Sequence, residues 1–287
     1  MVLLLDEEYI IQLDDTPPFS WIKETPNRLM YCRKIPHRKV HIYTHPPLYS
    51  IALMAEDLLG LERARVSDGY NIQEGEHLDI ILSDDGISAE AISAIRNQKK
   101  KGIVFSAGGS IKKEARENGW EYQSLPKGYP MKFMMPEVLG CLLSIFGEVI
   151  HTSGLNEFIN MQLPSSISQY NISKRLAYEL LDRPIIIVHD GKTRGLANRY
   201  ADLLKRNANV NAVTRLSEDS IMLSSGGEAK FINLTRNGEV SAPFSGEGFP
   251  FSNNDIEGYL KNEIVGEFTS VYLSILLGVE IDLLELK

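Results

Sequence analysis

The chain has 287 residues, enough for one large α/β domain or two of ordinary size. Apolar residues make up 43%, which supports a full core, and the 24% of charged residues is ordinary for a water-soluble domain. The formal charge of −8 argues against non-specific binding to nucleic acid or to an anionic membrane.

Two cysteines, Cys32 and Cys141, have no Cys or His at metal-ligand spacing, so neither is expected to be a metal ligand, and a reducing cytoplasm fits. Cys141 lies in "EVLGCLLSIFG", an apolar helical stretch, and reads as core packing. The opening "MVLLLDEEYIIQLDD" has no basic n-region and does not read as a signal peptide. No apolar run reaches the roughly 18 residues of a membrane span.

In chain order, residues 1–38 read as an irregular segment, broken by "TPPFSW" and "KETPNR". "KVHIYT" (39–44) predicts a buried strand, and "PLYSIALMAEDLLG" (47–60) a helix stopped by Gly60. "HLDIILS" (77–83) is the next strand and "SAEAISAIRNQKK" (88–100) an amphipathic helix. "GIVFSAG" (102–108), "IKKEAREN" (111–118) and "EYQSLP" (121–126) continue as strand, helix and strand. "KFMMPEVLGCLLSIFGEV" (132–149) is an almost wholly apolar, buried helix. The pattern then repeats. Helices are predicted near 155–162 and 172–182, and "RPIIIVHDG" (183–191) is a strong strand. A helix follows over 193–207, then strand-like runs at 210–214, 220–226 and 229–235, and a C-terminal helical stretch broken near Gly278. Strand, helix, strand in short alternation means parallel sheets covered by helices. The predicted organisation is an N-terminal segment 1–38, a first α/β domain 39–153, and a second domain 154–287 ending in helices.

Two strand–turn–helix junctions carry the candidate chemistry. In "ILSDDGISAEA", Ser83 and Ser88 bracket Gly86, an arrangement that converges amides and hydroxyls on an anion at a helix start. The other reading is that Asp85 or Ser88 simply caps the helix. The two aspartates count against a phosphate, since a carboxylate a few ångströms from it costs roughly one to several kcal/mol. They suit sugar hydroxyls, or a magnesium-bridged ligand, better. In "VFSAGGSIKKEA", Ser106, Gly108 and Gly109 form the second turn, where glycine permits either a close ligand or merely a tight bend.

Taken in order, "SDDGISAEA", "VFSAGGSIKKEA", "LPKGYPMKFMMPEVLGCLLSIFG" and "GEFTSVYLSILLGVEI" resemble the sugar isomerase (SIS) domain family, most of all the archaeal bifunctional phosphoglucose/phosphomannose isomerases. The resemblance covers most of residues 39–287. It implies two SIS-type, flavodoxin-like subdomains, a sugar or sugar-phosphate ligand, interconversion of glucose 6-phosphate or mannose 6-phosphate with fructose 6-phosphate, no cofactor and a homodimer. It carries the phosphosugar-binding role to Ser83, Asp85, Gly86, Ser88, Ser106, Gly108 and Gly109.

The sequence departs from that family where chemistry is done. Moving a proton between adjacent carbons needs a base, and ring opening needs an acid/base. The family's glutamate base aligns with Arg206 in "RYADLLKRNAN", and a guanidinium cannot act as a base at neutral pH. It could bind an anion instead. The family's ring-opening histidine aligns with Glu218, and its glycine-rich turn after the first strand reads "YTHPPLYS", which loses amide donors to proline. Substitute catalytic groups are Glu218 as base, with Asp219 beside it, His189 with Asp190 at a strand end, and Lys287 matching the family's terminal lysine. Weakened or altered catalysis is therefore expected, with a non-catalytic sugar-binding or regulatory protein as the alternative.

Overall fold

The computed structural model describes residues 4–35, 39–181, 184–217, 229–235 and 255–280. The predicted run at 220–226 lies outside them. The chain divides into two compact units, Leu29–Val149 and a second that joins Met1–Arg28 to Ile150–Glu285.

The N-terminal stretch is not irregular, contrary to the sequence expectation. It forms short helices, α1 (Glu8–Ile11), α2 (Phe19–Lys23) and α3 (Thr25–Arg28). The prolines sit where helices tolerate them, Pro18 before the first residue of α2 and Pro26 in the first turn of α3. Phe19 and Ile22 of α2 are buried.

The unit Leu29–Val149 is built on a five-stranded parallel sheet: β1 (Val40–Thr44), β2 (Ala64–Asp68), β3 (Leu78–Ser83), β4 (Ile103–Ser106) and β5 (Glu121–Ser124). Their spatial order is β2-β1-β3-β4-β5. The connecting helices are α4 (Tyr49–Leu59), α5 (Ala89–Asn97) and α6 (Ile111–Glu117), and α7 (Met135–Ile145) follows β5. β1 and β3 are buried along their whole length, as inner strands of a two-sided sheet must be. β2 escapes sequence reading because it is an edge: of its "ARVSD" only Ala64 is buried, and Arg65 and Asp68 are exposed and charged, with no apolar alternation to mark it. α7 ends at Ile145, four residues before its expected end, and Gly147 then turns the chain with φ of 79°.

Cys141 is fully buried in α7, but it is not a free cysteine: it forms a disulfide with Cys32. The segment carrying Cys32 lies tightly on α7. The Cys32 amide donates to Ser144 Oγ (2.8 Å), Ile35 N donates to Ile145 O (3.1 Å), and a side chain at Gly140 would strike Met30 backbone at 2.6 Å.

The other unit contains α8 (Ser153–Gln162), α9 (Ile172–Leu180), β6 (Ile185–His189), α10 (Arg194–Ala208), β7 (Ala212–Leu216), β8 (Lys230–Asn233) and α11 (Ile256–Leu277). Its described strands are parallel in the order β7-β6-β8. The 22-residue α11 is buried over most of its length and packs on α9 and α10, so it shows no polar stripe. Its Gly266 leaves room for the Tyr200 ring of α10, whose hydroxyl donates to Asn262 O (2.6 Å). Asp255 caps α11 through Gly258 N, and Gly278 ends it in the left-handed conformation that only glycine adopts freely, where the sequence placed the break. No helix among the described residues is long and apolar enough to cross a membrane.

Candidate functional site

In open parallel sheets, ligands bind outside the carboxyl ends of the strands, where the strand order reverses. In β2-β1-β3-β4-β5 that point lies between β1 and β3. Ser83 ends β3 and pairs in register with Ser106 at the end of β4. Both are wholly buried.

The two turns that follow these strands are docked on each other. Ile111 N donates to Gly86 O (2.8 Å). A Cβ at Gly86 would come within 1.9 Å of Gly108 O, and one at Gly109 within 2.3 Å of Gly86 O. Both glycines also have positive φ, 69° and 70°. The close approach the sequence suggested is therefore backbone against backbone, and it fixes the two turns as one rigid edge. The Ser106 hydroxyl is held in the second turn, donating to Gly108 O and accepting from Gly108 N.

The first turn carries its own anion. Asp85 Oδ1 accepts from Ile87 N (2.9 Å), and Ser88 Oγ accepts from Ala91 N (3.2 Å) as the N-cap of α5. Of the two candidates, Ser88 is the helix cap, while Asp85 closes the turn before it, since Ile87 precedes the cap. The Asp85 carboxylate thus occupies an amide of the turn that an anionic ligand there would use. Ser83 Oγ is buried and makes no hydrogen bond of good geometry; the Tyr70 phenol is its polar neighbour, and Ser50 Oγ, in the first turn of α4 after β1, is likewise buried without a partner. Lys127 lies beside the second turn, 3.3 Å from where a Gly108 side chain would begin.

His45, which sequence reading passed over within "YTHPP", stands just past β1 on the same edge. Its Nδ1 faces Asp68 Oδ1 (2.7 Å) and its Nε2 faces Glu90 Oε2 (3.1 Å). Its ring meets that of Tyr70 edge-on at 4.9 Å. Burial works against protonation, but the two carboxylates outweigh it and raise the His45 pKa. Tyr70 donates to Leu82 O, and burial, with Asp84 nearby, pushes its phenol up to about 12. The position of His45 at a strand end was the signal that could have found it. A groove of about 470 Å³ adjoins this rim, lined by Tyr70, Asn71, Ile72, Glu90, Ser93 and Asn97 among others.

Two histidines on β1 and just past it should titrate on opposite sides of the ordinary range. His41 is lowered to about 4, first by burial and then by His77 and Arg65, while His45 is raised. The raised value makes the His45 contribution to stability complete below pH about 6.5 and lost as pH rises through its folded value. An NMR titration of the ring protons checks this; His45 titrating below His41 would contradict the assignment.

In the other unit, His189 ends β6 and is buried, with Nδ1 on Asp190 O (2.8 Å). The Asp190 carboxylate accepts from Lys192 N and Thr193 Oγ1, so it closes the turn into α10. Arg206 lies in the last turn of the same helix. α10 runs back antiparallel to β6, and the twelve residues from Arg194 to Arg206 span roughly 18 Å. His189 and Arg206 therefore stand at opposite ends of the β6–α10 pair and do not share one site within this unit. A cation at a helix C-terminus also complements the dipole. Glu218, Asp219 and Lys287 lie outside the described residues. Among the described residues no group of His, Cys, Asp and Glu could hold a metal ion.

Comparison with solved structures places this architecture. A glucose-6-phosphate isomerase-like protein from Thermus thermophilus superposes with a TM-score of 0.65 at 16% identity, over 96% of this chain and 94% of that one. The C-terminal domain of glucosamine-fructose-6-phosphate aminotransferase from Francisella tularensis gives 0.61 at 11%, over 95% and 96%. Tagatose-6-phosphate ketose/aldose isomerase from Escherichia coli gives 0.61 at 12%, over 92% and 94%. The chain has the α/β fold of these phosphosugar-isomerase-like proteins, with two parallel sheets and a C-terminal helix. No protein-family model matches the sequence, and no curated protein does.

Proposed function

We propose that this protein binds a sugar, free or phosphorylated, at the carboxyl edge of the β1–β3–β4 sheet, and that its aldose–ketose isomerase chemistry is weakened or lost. The observation that carries this reading is the docked pair of turns. It sets the buried Ser83 hydroxyl, which makes no hydrogen bond of good geometry and has the Tyr70 phenol beside it, at the switch point of a fold whose structural neighbours include proteins described as phosphosugar isomerases. The internal carboxylate of Asp85 favours hydroxyl contacts over a bare phosphate. Arg206 at the aligned base position supports loss of turnover.

A second reading, an isomerase with a relocated base at Glu218, rests on the sequence alignment. Coupled-enzyme turnover of fructose 6-phosphate to glucose 6-phosphate, and of mannose 6-phosphate to fructose 6-phosphate, separates the two. The binding reading predicts turnover that is absent or only slightly above buffer and that Glu218→Gln leaves unchanged. Clear turnover that Glu218→Gln abolishes would establish the second reading instead.

A further inference from the structure

Between α10 and α11, one buried cation faces two buried carboxyls among the described residues. Arg199 is 1% exposed, Glu263 0% and Glu267 1%. Arg199 Nε donates to Glu263 Oε1 (3.1 Å) and its Nη2 to Glu267 Oε1 (2.8 Å). Glu263 and Glu267 are one helical turn apart on α11, so their side chains stack on the same face. Glu263 Oε2 is buried without a hydrogen-bond partner. Two ionised carboxylates beside one guanidinium would leave an uncompensated negative charge in the interior, and an orphaned oxygen besides.

We propose that Arg199, Glu263 and Glu267 form a proton-dependent clamp between α10 and α11, in which the two carboxyls hold one proton and Glu263 is a neutral acid at neutral pH. A proton on Glu263 Oε2 makes that oxygen a donor, with the Glu267 carboxylate beside it as acceptor, and turns the repulsion between the carboxyls into attraction. It also leaves one anion for one cation, the balance a buried site requires. Burial first, and then Glu267, raise the Glu263 pKa well above the ordinary value, against the opposing pull of Arg199. The other groups around the cluster do not reverse this. Asp202 on α10 acts on Arg199, the Tyr200 hydroxyl is committed to Asn262 O, and Lys174 of α9 is committed to Asp6 and backbone carbonyls.

The sign follows from linkage. A carboxyl that keeps its proton in the fold but loses it in the unfolded chain favours unfolding as pH rises above the ordinary glutamate value. The clamp is therefore complete in mild acid and weakens as pH rises through the folded value.

The test is thermal unfolding of the full chain from about pH 6 to about pH 9, with infrared spectra of wild type and variant compared at about pH 7. Glu263→Gln keeps the shape and the neutrality. The expected result is a flatter pH profile than wild type, a higher Tm at the alkaline end, and loss of a protonated-carboxyl band that wild type shows. If Glu263→Gln does not fold, Glu267→Gln serves the same comparison by leaving one carboxylate for Arg199. A wild type with no such band, or a glutamine variant that melts lower at every pH with an unchanged slope, overturns the proposal.

Discussion

Cys32→Ser is expected to unfold at a far lower temperature than the oxidised wild type. The Cys32–Cys141 bond closes a loop across a sequence separation of 109, and closing a loop of that size removes enough unfolded-chain freedom to contribute about 4.7 kcal/mol. For a domain of this size that corresponds to a Tm loss of roughly 10–15 °C. Cys141 is buried in α7, so the hydroxyl variant is made at Cys32, which is only half-buried. The contacts around the bond remain in the variant: Cys32 N to Ser144 Oγ, Ile35 N to Ile145 O, and the close fit of Met30 over Gly140 are backbone features. Reductant should bring wild type down to the variant's Tm and leave the variant unchanged. A wild type whose two thiols have been titrated as reduced, yet whose Tm has not moved, would contradict this.

The second large effect is expected at Lys174, whose side chain is fully buried. Its ammonium donates to Leu5 O (2.7 Å), Asp6 Oδ1 (2.9 Å) and Pro164 O (2.9 Å). Asp6 also accepts from Ser168 N and Oγ, and Leu5 N donates to the Tyr178 hydroxyl. One lysine thus pins the first turn of the chain onto α9 and the loop before it. Burial lowers the Lys174 pKa more than Asp6 can restore. Burial also opposes ionisation of Asp6, but the bonds from Lys174 and Ser168 outweigh it and lower its pKa. The two directions describe one interaction: the pair costs desolvation, and what it secures is the geometry. Lys174→Met matches the length, leaves two buried carbonyls without a donor, and should cost about 3 kcal/mol, the low end for breaking a buried pair because Asp6 keeps some water. Limited proteolysis should then cut within residues 4–15. Destabilisation below about 1 kcal/mol with no new cleavage would show that other contacts hold the segment.

The parts of the fold that depend on local pattern were legible. The buried strands β1, β3, β4 and β6 have β-branched runs, and α5, α10 and α11 have periodicity or caps that mark them. Ser88 could be read as an N-cap and Gly278 as a stop because those signals are chemical and local. What was missed depends on tertiary context. β2 exists because β1 offers it an edge, not because "ARVSD" prefers to be a strand. The helices of the first 28 residues exist because Phe19 and Ile22 have a core to enter. Cys32 and Cys141 are brought together by the path of the segment across α7, and no spacing rule reaches 109 residues. At the candidate site, the sequence put both turns after strands, and the structure places those strands side by side in one sheet. Their roles were not legible. Gly86 and Gly109 serve each other's backbone, and Asp85 serves Ile87, which only the packed turns reveal. His45 was hidden because its partners, Asp68 and Glu90, come from elements 23 and 45 residues away.

The central claim, a sugar held at the edge that Ser83 and the two docked turns form, is tested most directly by ligand-dependent thermal shift. Fructose 6-phosphate, fructose and inorganic phosphate are titrated separately into wild type and Ser83→Ala. A ligand that binds only the folded state raises Tm by an amount that grows with the ratio of its concentration to Kd. The account predicts a dose-dependent rise with fructose 6-phosphate or fructose, none with phosphate alone, and loss of the rise in Ser83→Ala. A flat response to both sugars, or a rise that Ser83→Ala leaves intact, would contradict it.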